Sequence, residues 1–266
     1  MLRLDTWQSR MVFGAGLLLV GGFLLLPLAW MVLTSFKPEQ ELFVRMPLWL
    51  PQAPTLEHYA QMLARGDMAL QLRNSLITAL SGAVLTVALA VYAAYGFAKF
   101  RFRGRKPLML LISVYPMLQA LGLLNTHLGL VLSYIILALP SGTYMLYSYF
   151  VNVPSEIIEA ARADGAGELY ILHRIVLPLA MPALVTVGLY AFMWAWNDLL
   201  FSLTLVTEPQ LRTVGPGLML GYLGEGRSDW GGAMAASIIS SLPVVVGFAF
   251  LQRFFIQGLT AGAVKS

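Results

Sequence analysis

The 266-residue chain contains no cysteine. That absence excludes disulfide frameworks, thiolate zinc sites and cysteine nucleophiles, and it leaves the redox compartment open. Histidine is scarce as well: His58, His127 and His173 stand too far apart for the H-x-x-x-H pair of a helical metal site. None of the lysines, Lys37, Lys99, Lys106 and Lys265, follows a glycine, so the G-K-[ST] ending of a phosphate-binding loop cannot be written anywhere in this sequence. Any use of ATP therefore requires a separate nucleotide-binding subunit. The largest deficit is charge. Ionisable residues make up 11% of the chain, against about 25% in an ordinary soluble domain. Apolar residues make up 58%, against about 45 to 50%, and the mean hydropathy is +0.74. With 17 basic and 13 acidic side chains, a globule of this size cannot cover itself for water, so most of its exterior faces lipid.

A bilayer core of about 30 Å takes about 20 apolar residues in a helix. Six runs qualify, at roughly residues 12–36, 75–98, 107–124, 129–150, 183–206 and 232–256. They are continuous and lack the period-two alternation of outer-membrane strands, which predicts an all-α polytopic membrane protein of six transmembrane helices. Arg3 and Arg10 precede the first run as in a signal peptide. That run exceeds the 7 to 15 residues expected of one, however, and no A-x-A site follows, so it reads as a retained helix. The third run is short: eighteen residues span about 27 Å, enough to cross with little tilt.

Basic residues set the orientation, because Lys- and Arg-rich loops stay on the cytoplasmic side. With the N-terminus inside, the inner segments carry 11 of the 17 basic residues, five of them in the loop KFRFRGRK at 99–106. Each is worth about 1 kcal/mol beside an anionic inner leaflet. A short turn between helices is a poor nucleic-acid surface, so this run is read as a topology signal. Both termini are then cytoplasmic. The outer segments hold two long connections, residues 37–73 with Pro47, Pro51 and Pro54, and the glycine-rich stretch 207–231.

The inner loop at 151–182 differs in character. Pro154 and Ser155 start a helix, Glu156 and Glu159 suit its positive N-terminal end, and Gly165 supplies a stop. A second short helix follows at about 168–175, before Leu177 and Pro178 turn the chain back toward the membrane. Within the loop, Glu159, Ala160 and Ala161 are followed by Gly165 after three residues, by Ile175 after nine more, and then by Leu177 and Pro178. Small side chains at Ala160 and Ala161 allow close seating in a cleft, and Gly165 allows a left-handed turn that a Cβ obstructs. A short helix between turns is a rigid projection from the membrane face. The bland alternative is an amphipathic surface helix with no partner.

This spacing resembles the EAA signature, EAA-x3-G-x9-I-x-L-P, of permease subunits from binding-protein-dependent ABC importers. The stretches GLLNTHLGLVL (122–132), WAWNDLLFSLTL (194–205) and QGLTAGAVKS (257–266) resemble the carbohydrate branch, specifically the maltose-type second permease subunit. The stretch between the basic loop and residue 122 is shorter than is usual there. The resemblance implies a type I importer permease (MetI-like) fold. It divides the chain into a first helix and outer loop (1–73), a transmembrane core (74–257) bearing the coupling loop 151–182, and a cytoplasmic tail (258–266). It implies ATPase coupling through Glu159, Ala160, Ala161, Asp164, Gly165, Ile175, Leu177 and Pro178.

The implied partners are a second permease chain, two ATPase subunits that bind ATP and Mg, a periplasmic or lipid-anchored sugar-binding protein, and membrane lipid. The chain itself would then be non-catalytic, hold no cofactor or metal, bind no nucleic acid, and sit in a bacterial-type inner membrane. The stretch 207–231 is the expected contact for the binding protein. Trp194, Asn197 and Asp198 are candidates for the translocation pathway, with aromatic-belt and helix-capping roles as the alternatives. A permease for a non-sugar solute and an ion-coupled secondary transporter are the competing functions.

Overall fold

In lipid a backbone must satisfy its own hydrogen bonds, so continuous apolar runs fold as helices. The computed structural model describes residues 7–99, 121–224 and 228–263, and among them all regular structure is helical. The described helices are α1 (Trp7–Ser35), α2 (Glu39–Leu42), α3 (Glu57–Arg65), α4 (Asp67–Lys99), α5 (His127–Phe150), α6 (Ser155–Ala163), α7 (Glu168–Leu179), α8 (Met181–Trp196), α9 (Leu200–Leu205), α10 (Val214–Tyr222) and α11 (Trp230–Ala263). Four of them, α1, α4, α5 and α11, are long and apolar enough to cross a membrane. The pair α7 and α8 is apolar enough to count as a fifth only if the two are taken as one broken span, since their axes differ by 80°. The expected third span, 107–124, and the basic loop 99–106 lie outside the described residues, apart from Lys99 at the end of α4 and residues 121–124, which form turns.

Three expectations about element ends are corrected. The run at 183–206 is not one helix: α8 stops at Trp196, and the short α9 begins at Leu200. The reason is the Asp198 carboxylate, which accepts hydrogen bonds from the backbone N–H groups of Phe201 (3.2 Å) and Ser202 (2.9 Å) and so caps a separate helix. At its other end α8 starts just after the bend. Ala180 lies in the bridge region (φ −88°, ψ 5°) and Pro182 follows at the start of α8, so the turn falls at Ala180 and not at Leu177–Pro178. The last helix continues beyond 256 to Ala263, through most of the expected tail.

The chain divides into two compact units, residues 1–68 with 218–241, and residues 69–217 with 242–266. In the first, Lys37 is buried; its ammonium donates to the Leu48 carbonyl at 2.5 Å and lies 4.1 Å from the centre of the Trp30 ring. Such pairing is what allows a lysine to be buried at all. Nearby, Glu41 accepts from the N–H groups of Gln52 and Ala53, which folds the proline-rich segment back on α2. Asp229 caps α11 through the N–H of Gly232 (2.7 Å) and faces His58 and Arg65, each at 3.8 Å. Burial raises the pKa of Tyr222, partly offset by the Arg65 guanidinium over its ring.

The second unit holds the core. Gly142 of α5 meets α8 so closely that an added Cβ would lie 2.9 Å from Val187 Cγ1. Small residues at such crossings let helices pack without a hydrophobic drive from water. Around this contact Ala90, Val91, Ala94, Tyr95, Leu146, Phe150 and Val187 form a cluster that extends to Ile158, Ile171, Leu172, Val176 and Ala180 of the α6–α7 region. A second cluster joins Ala79, Leu130, Tyr134, Ala195, Trp196 and Leu205. The stretch expected as a loop from residue 207 is partly helical: Thr213 and Val214 are buried and Val214 N–H donates to Ser75 Oγ at 2.8 Å.

Candidate functional site

The EAA spacing is first of all a helix with its stop. Glu156 in the first turn and Arg162 in the last complement the dipole of α6. Its end is a Schellman motif: Gly165 takes the left-handed conformation (φ +83°), Ala166 N–H donates to the Ala161 carbonyl at 2.9 Å, and Gly165 N–H donates to Arg162 at 2.9 Å. Three residues between EAA and glycine are what this geometry needs.

The motif then separates into two halves. Glu159, Ala160, Asp164 and Gly165 are exposed. Ala161, Ile175 and Leu177 are half-buried and pack against the core cluster, and Pro178 is exposed on α7. Only Ile158 of α6 is buried, and it plugs into that same cluster. On the open side the apolar groups Ile157 (42% exposed), Leu169 (67%) and Tyr170 (59%) accompany Ala160. One side of α6 and α7 is thus anchored, while the other presents apolar and acidic groups at the surface.

Residues that sequence reasoning counted only as charges, or did not single out, complete the attachment. The Arg162 guanidinium pairs with Glu168 (Nε to Oε1 2.7 Å, a terminal nitrogen 2.5 Å from the same oxygen). The other carboxylate oxygen of Glu168 accepts from the Tyr95 hydroxyl at 2.6 Å. The Leu169 carbonyl can only accept, so His173 Nδ1 donates to it (2.8 Å), and Nε2 hydrogen-bonds the Tyr92 hydroxyl (3.2 Å). Tyr149 donates to the Leu179 carbonyl at 2.7 Å. A glutamate three residues beyond the stop glycine, facing an arginine three before it, was the available signal for the first of these contacts.

The three pathway candidates sit at the end of α8. Trp194 is 53% exposed. Asn197 is exposed and its amide returns to the Met193 carbonyl at 2.9 Å. Asp198 is half-buried; besides capping α9 it accepts from the Tyr134 hydroxyl at 3.1 Å, and Tyr134 and Thr213 both bond Ser202 Oγ. The GLLNT stretch also has local work. Asn125 adopts positive φ (55°) and its side-chain Oδ1 accepts from Thr207 N–H at 2.7 Å, while Thr126 caps α5 by accepting from Gly129 N–H at 3.0 Å. Among the described residues, no group of three or more His, Asp or Glu side chains is arranged to hold a metal ion.

The sequence profile described as "binding-protein-dependent transport system inner membrane component" matches residues 85–261, the stretch that contains α5 to α8 and the EAA loop. The chain belongs to that family. The permease is 36% identical over 94% of its length to the sulfoquinovosyl glycerol transport system permease protein of Agrobacterium fabrum, 92% of which is covered. It is 34% identical, over 97% of both chains, to the trehalose/maltose transport system permease protein of Thermococcus litoralis. In fold it is similar to a chain from the crystal structure of a bacterial ABC transporter involved in the import of the acidic polysaccharide alginate. That likeness has a TM-score of 0.78 at 22% identity, covering 95% of this permease and 99% of that chain. The permease therefore has the ABC importer permease (MetI-like) fold and is a multi-pass, non-catalytic inner-membrane subunit. It works with other ABC subunits, an ATPase and a binding protein among them.

Proposed function

We propose that the permease carries a carbohydrate, a di- or oligosaccharide or related polyol, across the cytoplasmic membrane by alternating access. A separate ATPase docked on α6 and the adjoining exposed part of α7 would drive it. The observation that carries the docking reading is the two-sidedness of α6: Ile158 is locked into the bundle while Ile157, Glu159 and Ala160 stand exposed. The carbohydrate reading is supported by relatives named for sulfoquinovosyl glycerol and for trehalose/maltose.

In this reading the complex contains a second permease chain, two ATPase subunits that alone hold ATP and Mg, and a periplasmic or lipid-anchored sugar-binding protein. Both termini are cytoplasmic, which the concentration of Lys and Arg in the segments on that side supports. Trp194 and Asn197 lie along the pathway, and Asp198 holds the short helix beside them.

The test is subunit occupancy. Glu159→Lys and Gly165→Val, each in the full complex, release the ATPase on solubilisation in mild detergent and abolish uptake. Full ATPase occupancy and uptake in both variants would overturn the docking assignment. The binding protein that co-purifies with the wild-type complex carries a sugar or polyol, identified by mass spectrometry. A bound amino acid or ion would overturn the carbohydrate reading.

A further inference from the structure

The turn from Asp164 to Gly167 contains two glycines, and one of them occupies the left-handed region. A turn of this kind is a natural hinge. An ATPase pulling on α6 would tilt it about this hinge and pass the movement to the bundle only through the packing of Ile158 and Ala161, unless something also bridges the turn. The structure contains such a bridge. Arg162, in the last turn of α6, and Glu168, the first residue of α7, flank the hinge and are joined by the ion pair. The second oxygen of the same carboxylate takes the Tyr95 hydroxyl of α4. Tyr95 is buried with its ring edge-on to Phe150 of α5 (centroids 6.3 Å apart), so a force reaching its hydroxyl is delivered to two long helices. One turn back on α4, Tyr92 holds His173 of α7, which adds a second strap along the same face.

We propose that Glu168 is a positioning residue for energy coupling, its carboxylate locking the hinge between α6 and α7 and passing the displacement of α6 to Tyr95 and hence to α4. The proposal rests on the reading of α6 as the docking element. The pair with Arg162 is half-exposed on both sides, and ion pairs of that kind add little to folding stability. Losing it therefore leaves the fold intact and frees the hinge. A residue that served stability alone would have the opposite profile.

The absence of cysteine permits a direct test. A single cysteine replaces Leu85, an exposed residue of α4, and a second is placed in the other permease chain. Both are spin-labelled, and the distance between them is measured in the assembled complex before and after trapping with ATP and vanadate. In the unsubstituted background vanadate trapping shifts the distance.

With Glu168→Ala, the ATPase remains bound at wild-type stoichiometry and hydrolyses ATP, but the shift falls to less than a third. Tyr95→Phe, which removes one oxygen and keeps the ring, reduces it at least twofold. Glu168→Asp, which retains the charge at shorter reach, gives an intermediate value. A full shift in both Glu168→Ala and Tyr95→Phe overturns the proposal, and so does loss of the ATPase from Glu168→Ala, which would make Glu168 part of the docking surface. Should Glu168→Ala fail to accumulate, the Tyr95→Phe shift decides. Failure of the docking reading itself shows separately, as an ATPase that stays bound and active in both Glu159→Lys and Gly165→Val.

Discussion

Gly165 offers a substitution series in which backbone conformation and available space predict different orders. Its φ of +83° lies where an L-residue is strained, yet among the described residues nothing beyond its chain neighbours comes within 4 Å of the position a Cβ would take. Within this chain, then, the cost of a side chain is conformational. For alanine it is about 1 to 2 kcal/mol, and asparagine pays less because its short polar side chain bonds locally in the left-handed region. Valine pays more, being β-branched. If residue 165 leaves the left-handed region, the two Schellman hydrogen bonds to Ala161 and Arg162 are lost. Ile171 and Leu172 are fixed in the core, so the distortion falls on α6.

One to two kcal/mol corresponds to a factor of about 5 to 30 in a two-state ratio, and the apparent affinity for a docking partner falls by up to that factor. The measurement is a titration of the purified ATPase subunit onto the permease in lipid nanodiscs. Dissociation constants should rise in the order glycine, asparagine, alanine, valine. If the glycine is instead needed to let the ATPase approach, side-chain volume sets the order and alanine binds better than asparagine. That result, or wild-type binding by alanine, would refute the conformational account.

Two further substitutions probe the bundle. Gly142→Ala forces a methyl into Val187 Cγ1; overpacking costs about 1 to 3 kcal/mol, which exceeds the gain of about 0.5 to 1 kcal/mol from replacing a mid-helix glycine. The variant melts below wild type in detergent, and Val187→Ala in the same chain restores the Tm; a Gly142→Ala variant that melts at or above wild type would contradict the packing. Asp198→Ala removes the cap of α9 at about 0.5 to 2 kcal/mol and deprives the Tyr134 hydroxyl of one partner. A lowered Tm that Asp198→Asn partly recovers is expected, whereas an unchanged Tm would leave the carboxylate without the supporting role assigned to it.

The four long described helices were legible because an apolar run long enough to cross lipid is a local property of the chain. Their ends were less so, since hydropathy marks the lipid boundary and not the helix boundary. Thus α4 begins at Asp67, well before the apolar run at 75, in a polar stretch whose acidic first residue suits a helix start. The break after Trp196 was hidden for a different reason. Its cause is a side chain bonding to backbone three and four residues on, and WND lies inside an otherwise apolar run that reads as continuous. In the EAA loop the spacing from alanine to glycine was readable, being a helix stop encoded within seven residues. The Glu168 contact with Tyr95 was not, because its members lie 73 positions apart and meet only through the packing of α7 on α4.

Viewed from the bundle, the motif combines requirements that conflict. A docking surface must be exposed and shaped for another protein, whereas a lever must be continuous with the element it moves. Within the EAA loop these demands fall on different residues: Glu159 and Ala160 are exposed, while Ala161, Ile175 and Leu177 pack on the core. With an ATPase docked on α6 as proposed, the left-handed glycine that ends this helix cleanly would also introduce the compliance a lever cannot tolerate. In a chain with so few charges, placing an arginine and a glutamate across that turn restores stiffness without filling the space a partner would need. The spacing of the motif and the position of the ion pair thus answer the same mechanical problem, one at the surface and one at the hinge.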